Sequence, residues 1–292
     1  MSTVREQVLL LGPRKSLVAI LAQCAPCAAD TARPAIVILN AGIVHRVGPS
    51  RMHVALARRL AAVGYAAVRF DLSGIGDSER RPDALTPLDA ALADIREALD
   101  SLESSHQIRR AVLVGLCSGA DQAVVYAGSD PRVVGVVLVD PHIPRTRQYY
   151  LRYYGSRLLR LRSWLNILLG NHPMWHGRRG GGGAGGTQPD ENVIRELSSQ
   201  QVRSLLEQAY RRSLDSGNQF LAVFTGGLEA QHCYREQLLD AFPRLRFGDR
   251  LRLEYFKEAD HMFQSEAERG RLIESIVNWL GQTRFAETQP PL

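Results

Sequence analysis

The stretch AVLVGLCSGADQAVVYA (111–127) joins an apolar run to a helix-like pattern through a cysteine between two glycines. Residues 111–116 form the continuous apolar run that is typical of a strand buried on both faces. Residues 118–127 place apolar side chains at helical spacing. Cys117 therefore stands at a sharp turn from strand to helix. There it is either a small buried hydrophobe or a nucleophile held above a sheet.

Outward from this turn, short apolar runs alternate with helical patterns along most of the chain. Predicted strands cover residues 35–42, 66–71, 109–117, 133–140, 220–227 and 251–260, and predicted helices cover 50–64, 87–102, 118–127, 234–242 and 266–282. The runs 4–11 and 16–24 flank a Gly-Pro turn and predict a β-hairpin at the start. This alternation predicts an α/β fold with a mostly parallel sheet and helices on both faces.

A long stretch between two predicted strands interrupts this alternation. The predicted organisation is a core from residues 1–140 and 219–292, with a helical lid inserted at 141–218, because 78 residues exceed a simple crossover. A glycine-rich loop at 177–186 separates two helix-like parts of the insertion. Such a tract buries too little surface to be ordered, and it lacks the Gly-Lys-Ser/Thr of a phosphate-binding loop.

Composition restricts the class of protein. With 45% hydrophobic and 23% charged residues among 292, the chain is an ordinary globular one. Its four cysteines are too few for a disulfide framework, and Cys24 and Cys27 lack the partners of a zinc set. The first apolar run is too short for a signal peptide or a membrane span. We therefore expect a cytoplasmic protein without a metal or another cofactor.

The net charge of +6 is concentrated in the insertion. Residues 141–189 contain no acidic side chain but eight arginines, namely Arg145, Arg147, Arg152, Arg157, Arg160, Arg162, Arg178 and Arg179. Three interpretations are open: a solvated face, a docking surface for an acidic carrier protein or a phosphopantetheine phosphate, and an interfacial membrane helix. We do not expect nucleic-acid binding, because no recognition motif accompanies the charge.

The spacing Gly-x-Cys-x-Gly at 115–119, between a strand and a helix, resembles the nucleophile elbow of the α/β-hydrolase superfamily. Cysteine stands where serine is usual, as in dienelactone hydrolases and polyhydroxyalkanoate synthases. The segments NAGIVHRVGPSR, RFDLSGIGDS, GLCSGA, FTGGLE and ADHMF together resemble bacterial serine-aminopeptidase-like hydrolases, including those of exosortase systems and natural-product clusters. The resemblance covers most of the chain outside the insertion and implies an α/β-hydrolase fold.

The resemblance also implies roles for individual residues. Cys117 would be the nucleophile and His261, just after the last predicted strand, the catalytic histidine. The acid would be Glu229, after the strand that follows the insertion, with Asp140 as the alternative. Asp260 is expected to be a structural turn residue.

The second group of implied residues would hold the oxyanion and the substrate. Ser118 would donate its amide, although it is also the alternative nucleophile, and Gly42 or Ile43 would supply a second amide. Candidate substrate contacts are His45 beside the oxyanion loop and four aromatic residues of the lid, namely Tyr149, Tyr150, Tyr153 and Trp164. Five other histidines are expected to be structural: His53, His106, His172, His176 and His232.

These residues predict acyl transfer from an ester or thioester through an acyl-thioester on Cys117. A thioesterase or esterase is the first hypothesis, because a thiolate exchanges readily with thioesters and attacks amides poorly. Transfer of the acyl group to an amine or alcohol is the alternative. A hypothesis of another class is a ligand-binding or membrane-associated accessory protein that has lost catalysis on a hydrolase fold.

Overall fold

The computed structural model describes residues 3–25, 33–158 and 199–285. Its eight strands are β1 (Thr3–Leu11), β2 (Leu17–Ala25), β3 (Ala35–Ile38), β4 (Ala67–Phe70), β5 (Ala111–Leu116), β6 (Val133–Val139), β7 (Gln219–Thr225) and β8 (Leu251–Phe256). The α-helices of these ranges are α1 (Met52–Ala62), α2 (Pro87–His106), α3 (Ser118–Ala127), α4 (Arg147–Leu158), α5 (Ser199–Asp215), α6 (Gln237–Ala241) and α7 (Glu266–Gln282).

All eight strands form one sheet in the order β1-β2-β4-β3-β5-β6-β7-β8. The strands β3 to β8 run parallel to one another, whereas β1 and β2 form an antiparallel hairpin whose second strand pairs antiparallel with β4. The predicted initial hairpin and mostly parallel sheet are therefore confirmed.

The central strands are buried on both faces, which explains their unbroken apolar sequences. In β5, Leu113 belongs to a core with α2, α3 and α5, whereas Val112 and Val114 belong to a second core with α1 and α7. Because successive side chains of a strand point to opposite faces, one apolar run fills both layers. Burying each such side chain contributes about 1.5–3 kcal/mol.

The helix boundaries follow local signals. Helix α2 begins after Thr86, whose hydroxyl accepts the amide of Asp89 at 3.2 Å, and Pro87 occupies its first position. It ends at His106, four residues beyond the predicted end, and is followed by a left-handed Gln107. The predicted helix at 234–242 is shorter in the structure, whereas that at 266–282 has the predicted bounds.

Helices α4 and α5 belong to the stretch between β6 and β7 that was predicted to be an insertion. Helix α5 packs on α3 and buries Tyr210 against the rings of Phe220, Phe242 and Phe247. The glycine-rich loop at 177–186 lies outside the described residues. Among the helices that the structure describes, none combines the length and the apolar character needed to cross a bilayer.

Candidate functional site

The candidate site lies at the carboxyl edge of the sheet, where the ends of four neighbouring parallel strands meet. Cys117 follows β5, Asp140 follows β6 and His261 lies shortly after β8. Because β5, β6, β7 and β8 are consecutive in the sheet, their carboxyl ends lie side by side. Open α/β sheets bind their ligands at this edge.

Cys117 has a strained backbone at the sharp turn from β5 to α3. Its φ of 56° and ψ of −122° lie outside the regions that side-chain-bearing residues favour, at a cost of about 1–3 kcal/mol. The amide of Cys117 donates to the carbonyl of Val139 at 2.9 Å, and its carbonyl accepts the amide of Ala120 at 2.9 Å. The turn is thus fixed on one side by β6 and on the other by the first turn of α3.

The two glycines of the elbow are required by close backbone contacts. A Cβ on Gly115 would lie 2.1 Å from the carbonyl of Gly119, and one on Gly119 would lie 2.3 Å from the carbonyl of Asn40. Real Cβ atoms do not approach other atoms so closely. The glycine spacing therefore lets α3 pack against both its own strand and the loop after β3.

Asp140 is the carboxylate that contacts His261. Its Oδ2 lies 2.8 Å from His261 Nδ1, and the side chain of Asp140 is fully buried. Thr225, at the end of β7, donates its amide to Oδ1 and its hydroxyl to Oδ2, both at 2.7 Å. The acid therefore stands at the end of β6 and is held in place by β7.

The structure differs from the preferred expectation of a Glu229–His261 pair. Glu229 is exposed, follows the short 3-10 turn Gly226–Leu228, and makes no hydrogen bond to His261 within the described residues. The glycines before it serve packing: a Cβ on Gly227 would lie 2.9 Å from the amide nitrogen of His261. The FTGGLE segment thus supports the loop that carries His261, and the alternative acid, Asp140, occupies the position beside the imidazole.

The electrostatics favour an ionised pair. Burial opposes the charge of Asp140, but the contacts with the imidazoles of His232 and His261 outweigh it and lower the pKa of Asp140 to about 2. Burial also opposes the imidazolium of His261, yet hydrogen bonds to Asp140 and Cys117, with their charges, raise the pKa of His261 to about 10. At neutral pH an imidazolium of His261 therefore lies beside Cys117.

The candidate oxyanion donors lie at the start of α3 and in the loop after β3. Ser118 is the first residue of α3, and neither its amide nor that of Ile43 has a hydrogen-bond acceptor within the described residues. The amide of Gly42 instead donates to the hydroxyl of Ser118 at 2.8 Å. Gly42 has a φ of 57° and occupies a tight turn that is closed by a bond from the Val44 amide to the Ala41 carbonyl at 3.0 Å.

A polar network under the oxyanion loop fixes its position. Asn40 donates to the carbonyl of Val44 at 2.9 Å and accepts the amide of Leu72 at 2.7 Å. The buried carboxylate of Asp71 pairs with Arg46, which also binds Asp77 at 2.5 Å. These bonds join the loop after β3 to the loop after β4.

The residues that were expected to contact the substrate differ in their exposure to solvent. His45 is exposed beside Gly76 on the oxyanion loop. Tyr149 is buried and donates its hydroxyl to the carbonyl of Ala230 at 2.8 Å, so it packs α4 onto the loop after β7 and does not line an open pocket.

Of the other aromatic candidates on α4, Tyr153 stacks on Tyr149 at 5.3 Å between centroids, and Tyr150 is 47% exposed. Trp164 lies outside the described residues. Two of the arginines also make internal contacts, since the guanidinium of Arg145 lies over the ring of Tyr149 and that of Arg152 over Tyr234.

One histidine of the site was interpreted as structural from the sequence. His232, in the loop after β7, places Nε2 at 3.1 Å from Asp140 Oδ1. The available signal was its position, because that loop also emerges at the carboxyl edge of the sheet. Asp260 bonds the amides of Met262 and Gln264 and is a turn residue as expected. Among the described residues no group of three or more His, Cys, Asp or Glu side chains is arranged so that it could hold a metal ion.

Comparison with known proteins supports a hydrolase assignment. A model of the family described as serine aminopeptidase, S33, matches residues 32–203. Over 117 residues the chain is 32% identical to the quorum-quenching protein AidA of Acinetobacter baumannii. That match covers 38% of this chain and spans only 38% of the length of AidA.

Solved structures are similar over nearly the whole chain. A meta-cleavage product hydrolase of Pseudomonas fluorescens has a TM-score of 0.54 at 16% identity, covering 95% of this chain and 98% of its own. Alpha/beta hydrolase domain-containing protein 10 of mouse has a TM-score of 0.53 at 16% identity, covering 94% and 99%. At these identities the likeness establishes the fold alone, which is the α/β-hydrolase fold expected from the sequence.

Proposed function

The chain belongs to the serine aminopeptidase S33 family of α/β hydrolases, and we propose that it catalyses acyl transfer from an ester or thioester through Cys117. The observation that carries the proposal is the series Cys117, His261 and Asp140, which is linked by hydrogen bonds at the carboxyl edge of the sheet. Nucleophile, base and orienting acid in this arrangement are the components of covalent acyl transfer.

The first step is attack by the thiolate. Because His261 Nδ1 is bonded to Asp140, the other ring nitrogen, Nε2, faces Cys117 and carries its proton. The Sγ of Cys117 forms a bond to the carbonyl carbon, and the carbonyl π electrons move to oxygen. His261 then donates the Nε2 proton to the departing alkoxide or thiolate as the tetrahedral species collapses to an acyl-thioester.

Developing negative charge on the carbonyl oxygen requires donors that are already in place. The Ser118 amide stands at the start of α3, and the Ile43 amide has no acceptor within the described residues. Each well-placed donor of this kind contributes about 2.7–4 kcal/mol to transition-state stability. The Ser118 hydroxyl engages the Gly42 amide and so holds the loop that carries Ile43.

Release of the acyl group completes the cycle. Neutral His261 takes a proton from water, the resulting hydroxide oxygen bonds to the acyl carbon, and the Cys117 thiolate departs. The carboxylic acid leaves, and the imidazolium–thiolate pair is restored. Hydrolysis of esters and thioesters is therefore the favoured reaction.

Transfer to an amine or alcohol is the second candidate, and the cysteine itself favours it. An enzyme thioester reacts with amines more readily, relative to water, than an oxygen ester does. In that case His261 would take the acceptor proton instead of a water proton. Adding a primary amine to the assay and measuring the ratio of amide to free acid distinguishes the two outcomes.

The proposal is tested with Cys117→Ala. Turnover of short acyl thioesters and p-nitrophenyl esters is expected to fall to background, because the nucleophile is lost. Full turnover by Cys117→Ala would overturn the proposal. Saturable ligand binding without turnover or thiol labelling in the natural protein would favour a binding protein on a hydrolase fold.

A further inference from the structure

His232 lies in the loop between β7 and α6, with its side chain fully buried. Its amide donates to the carbonyl of Leu228 at 3.0 Å, which bends the loop back toward the sheet. The imidazole packs edge-on against Phe224 of β7, with the ring centroids 5.1 Å apart. A polar ring is thus held in an apolar layer beneath the candidate site.

The two histidines approach opposite oxygens of one carboxylate. His232 Nε2 lies 3.1 Å from Asp140 Oδ1, whereas His261 Nδ1 lies 2.8 Å from Oδ2. Thr225 donates one hydrogen bond to each oxygen. Each oxygen of Asp140 therefore meets one donor from Thr225 and one imidazole, an arrangement that fixes the rotation of the carboxylate.

Among the described residues, no group other than Asp140 is a polar partner for the buried ring of His232. Both ring nitrogens of His232 are shielded from solvent, and neither makes a well-directed hydrogen bond within the described residues. The Nε2–Oδ1 separation is that of a hydrogen bond, although the N–H points away from the direct line. Leaving a buried polar group unpaired is unfavourable, so contact with the carboxylate is the available compensation.

The loop that carries His232 is clamped on both sides. The carbonyl of Ala230 accepts the Tyr149 hydroxyl at 2.8 Å and Arg145 Nε at 3.1 Å, both from the chain around the start of α4. Gln237 accepts the amide of Cys233 at 3.1 Å and donates to the carbonyl of Gln231 at 2.9 Å. Neighbours on either side of His232 are thus anchored, which limits movement of its ring away from Asp140.

We propose that His232 is a positioning residue for the acyl transfer inferred above: it holds Oδ1 of Asp140 so that Oδ2 stays on His261. The inference rests on the proposed function. It assigns His232 no contact with the substrate, and its effect reaches Cys117 only through Asp140 and His261.

Other titratable groups around this loop include Tyr255, Cys233, Glu229 and Arg152. Burial first, and then the charges of Glu229, Cys233 and Asp140, raise the pKa of Tyr255 on β8. Burial likewise raises the pKa of Cys233. Glu229 is exposed to solvent. His232 is therefore the group whose replacement acts directly on Oδ1.

The test uses His232→Leu, which removes the ring nitrogens, and His232→Gln, whose amide nitrogen reaches close to the position of Nε2. With an acyl thioester, His232→Leu is expected to lower kcat on the order of tenfold to a hundredfold with KM unchanged, because a small displacement of Asp140 misorients His261. His232→Gln is expected to recover most of that loss. If His232→Leu does not fold, His232→Asn, whose amide is too short to reach Oδ1, replaces it with the same expectation.

A second readout follows alkylation of Cys117 by iodoacetamide as a function of pH, which needs no substrate. If the carboxylate of Asp140 is displaced, it stabilises the positive charge of His261 less well. The imidazolium in turn stabilises the negative charge of the Cys117 thiolate less well. The pH midpoint of alkylation is therefore expected to rise in His232→Leu and to return in His232→Gln. A midpoint that is unchanged or lower would overturn the inference.

The two proposals fail in distinguishable ways. If turnover of the natural protein does not depend on Cys117, the proposed function is contradicted. The alkylation profiles still test the role of His232 in that case. If turnover of the natural protein depends on Cys117, and a folded His232→Leu has the same kcat, only the role of His232 is contradicted. A loss of kcat that His232→Gln does not recover also overturns that role.

Discussion

The carboxylate of Asp140, at the end of β6, lies 2.8 Å from His261 Nδ1, whereas the preferred candidate acid, Glu229, follows the neighbouring strand β7. Asp140 directly follows β6, and its φ of 47° turns the chain sharply at that point. Thr225, at the end of β7, donates to this acid, and the loop after β7 places His232 Nε2 3.1 Å from it. The acid thus follows β6, whereas the residues that contact it come from the end of the neighbouring strand β7 and from the loop after it. His261 lies at the same edge of the sheet.

Replacing Asp140 separates the two candidate acids. Asp140→Asn keeps the shape but removes the charge that stabilises the His261 imidazolium, and it is expected to lower kcat by roughly 10³–10⁴-fold. The matched control, Glu229→Gln, is expected to retain kcat within about twofold, because Glu229 is exposed. Steady-state kinetics on one thioester checks both. A severe loss in Glu229→Gln with an active Asp140→Asn would reverse the assignment.

The pH dependence of kcat/KM reports the proton on His261. Its pKa is raised to about 10, so His261 keeps its proton at neutral pH and loses it as the pH rises through that value. The alkaline limb of the profile is therefore expected near pH 10, with activity retained below it. The same proton stabilises the folded state below the unfolded pKa of about 6.5, and this contribution is lost as the pH approaches 10.

A profile measured between pH 5 and 11 checks this expectation. An alkaline limb near pH 6.5, the ordinary value for histidine, would contradict the raised pKa of His261. His261→Gln serves as the control for background hydrolysis at high pH. It removes the titrating group and is expected to lack enzyme-dependent turnover across the range.

The hydroxyl of Ser118 is predicted to anchor the oxyanion loop. Ser118→Ala deletes the acceptor of the Gly42 amide and is expected to lower kcat/KM with thioesters about tenfold, because the loop donor is less well held. Iodoacetamide alkylation of Cys117 develops no oxyanion and is expected to proceed at the natural rate. If Ser118→Ala alters alkylation as strongly as turnover, the hydroxyl acts on the thiol and not on the loop.

The elbow glycines offer a test of packing. A methyl group on Gly119 would lie 2.3 Å from the Asn40 carbonyl, so Gly119→Ala is expected to reduce the free energy of unfolding by about 1–3 kcal/mol. Gly270, in the first turns of α7, has open space around it, and Gly270→Ala is expected to increase that free energy by about 0.5–1 kcal/mol. Urea denaturation measures both. Equal effects of the two substitutions would contradict the close approach at Gly119.

The sheet could be predicted from the sequence because its strands are buried on both faces. Runs such as those around Val112 and Val136 have no polar interruption, and glycine or helical patterns mark where each run ends. The general preference for right-handed connections between parallel strands leaves few strand orders open. The predicted end of the helix at 234–242 differed because tertiary packing, and not periodicity, sets the limits of a five-residue helix.

The identity of the acid could not be predicted with the same certainty. Both Asp140 and Glu229 follow strands that end at the carboxyl edge of the sheet, and position in the chain does not specify which side chain turns toward His261. Thr225, which ends β7 with a neutral hydroxyl, was the available signal that β7 supplies a partner for the acid and not the acid itself. His232 was equally difficult, because burial beside a carboxylate depends on a loop conformation that no local pattern encodes.

The most direct test of a covalent acyl-enzyme on Cys117 is intact-protein mass spectrometry after brief incubation with acyl thioesters of different chain length. We predict that the mass of the natural protein increases by one acyl group. The adduct accumulates in Asp140→Asn if deacylation is slowed more than acylation. It is absent from Cys117→Ala. The acyl groups that are accepted would define the substrate class. An acyl adduct of the same mass and yield in Cys117→Ala would contradict Cys117 as the nucleophile.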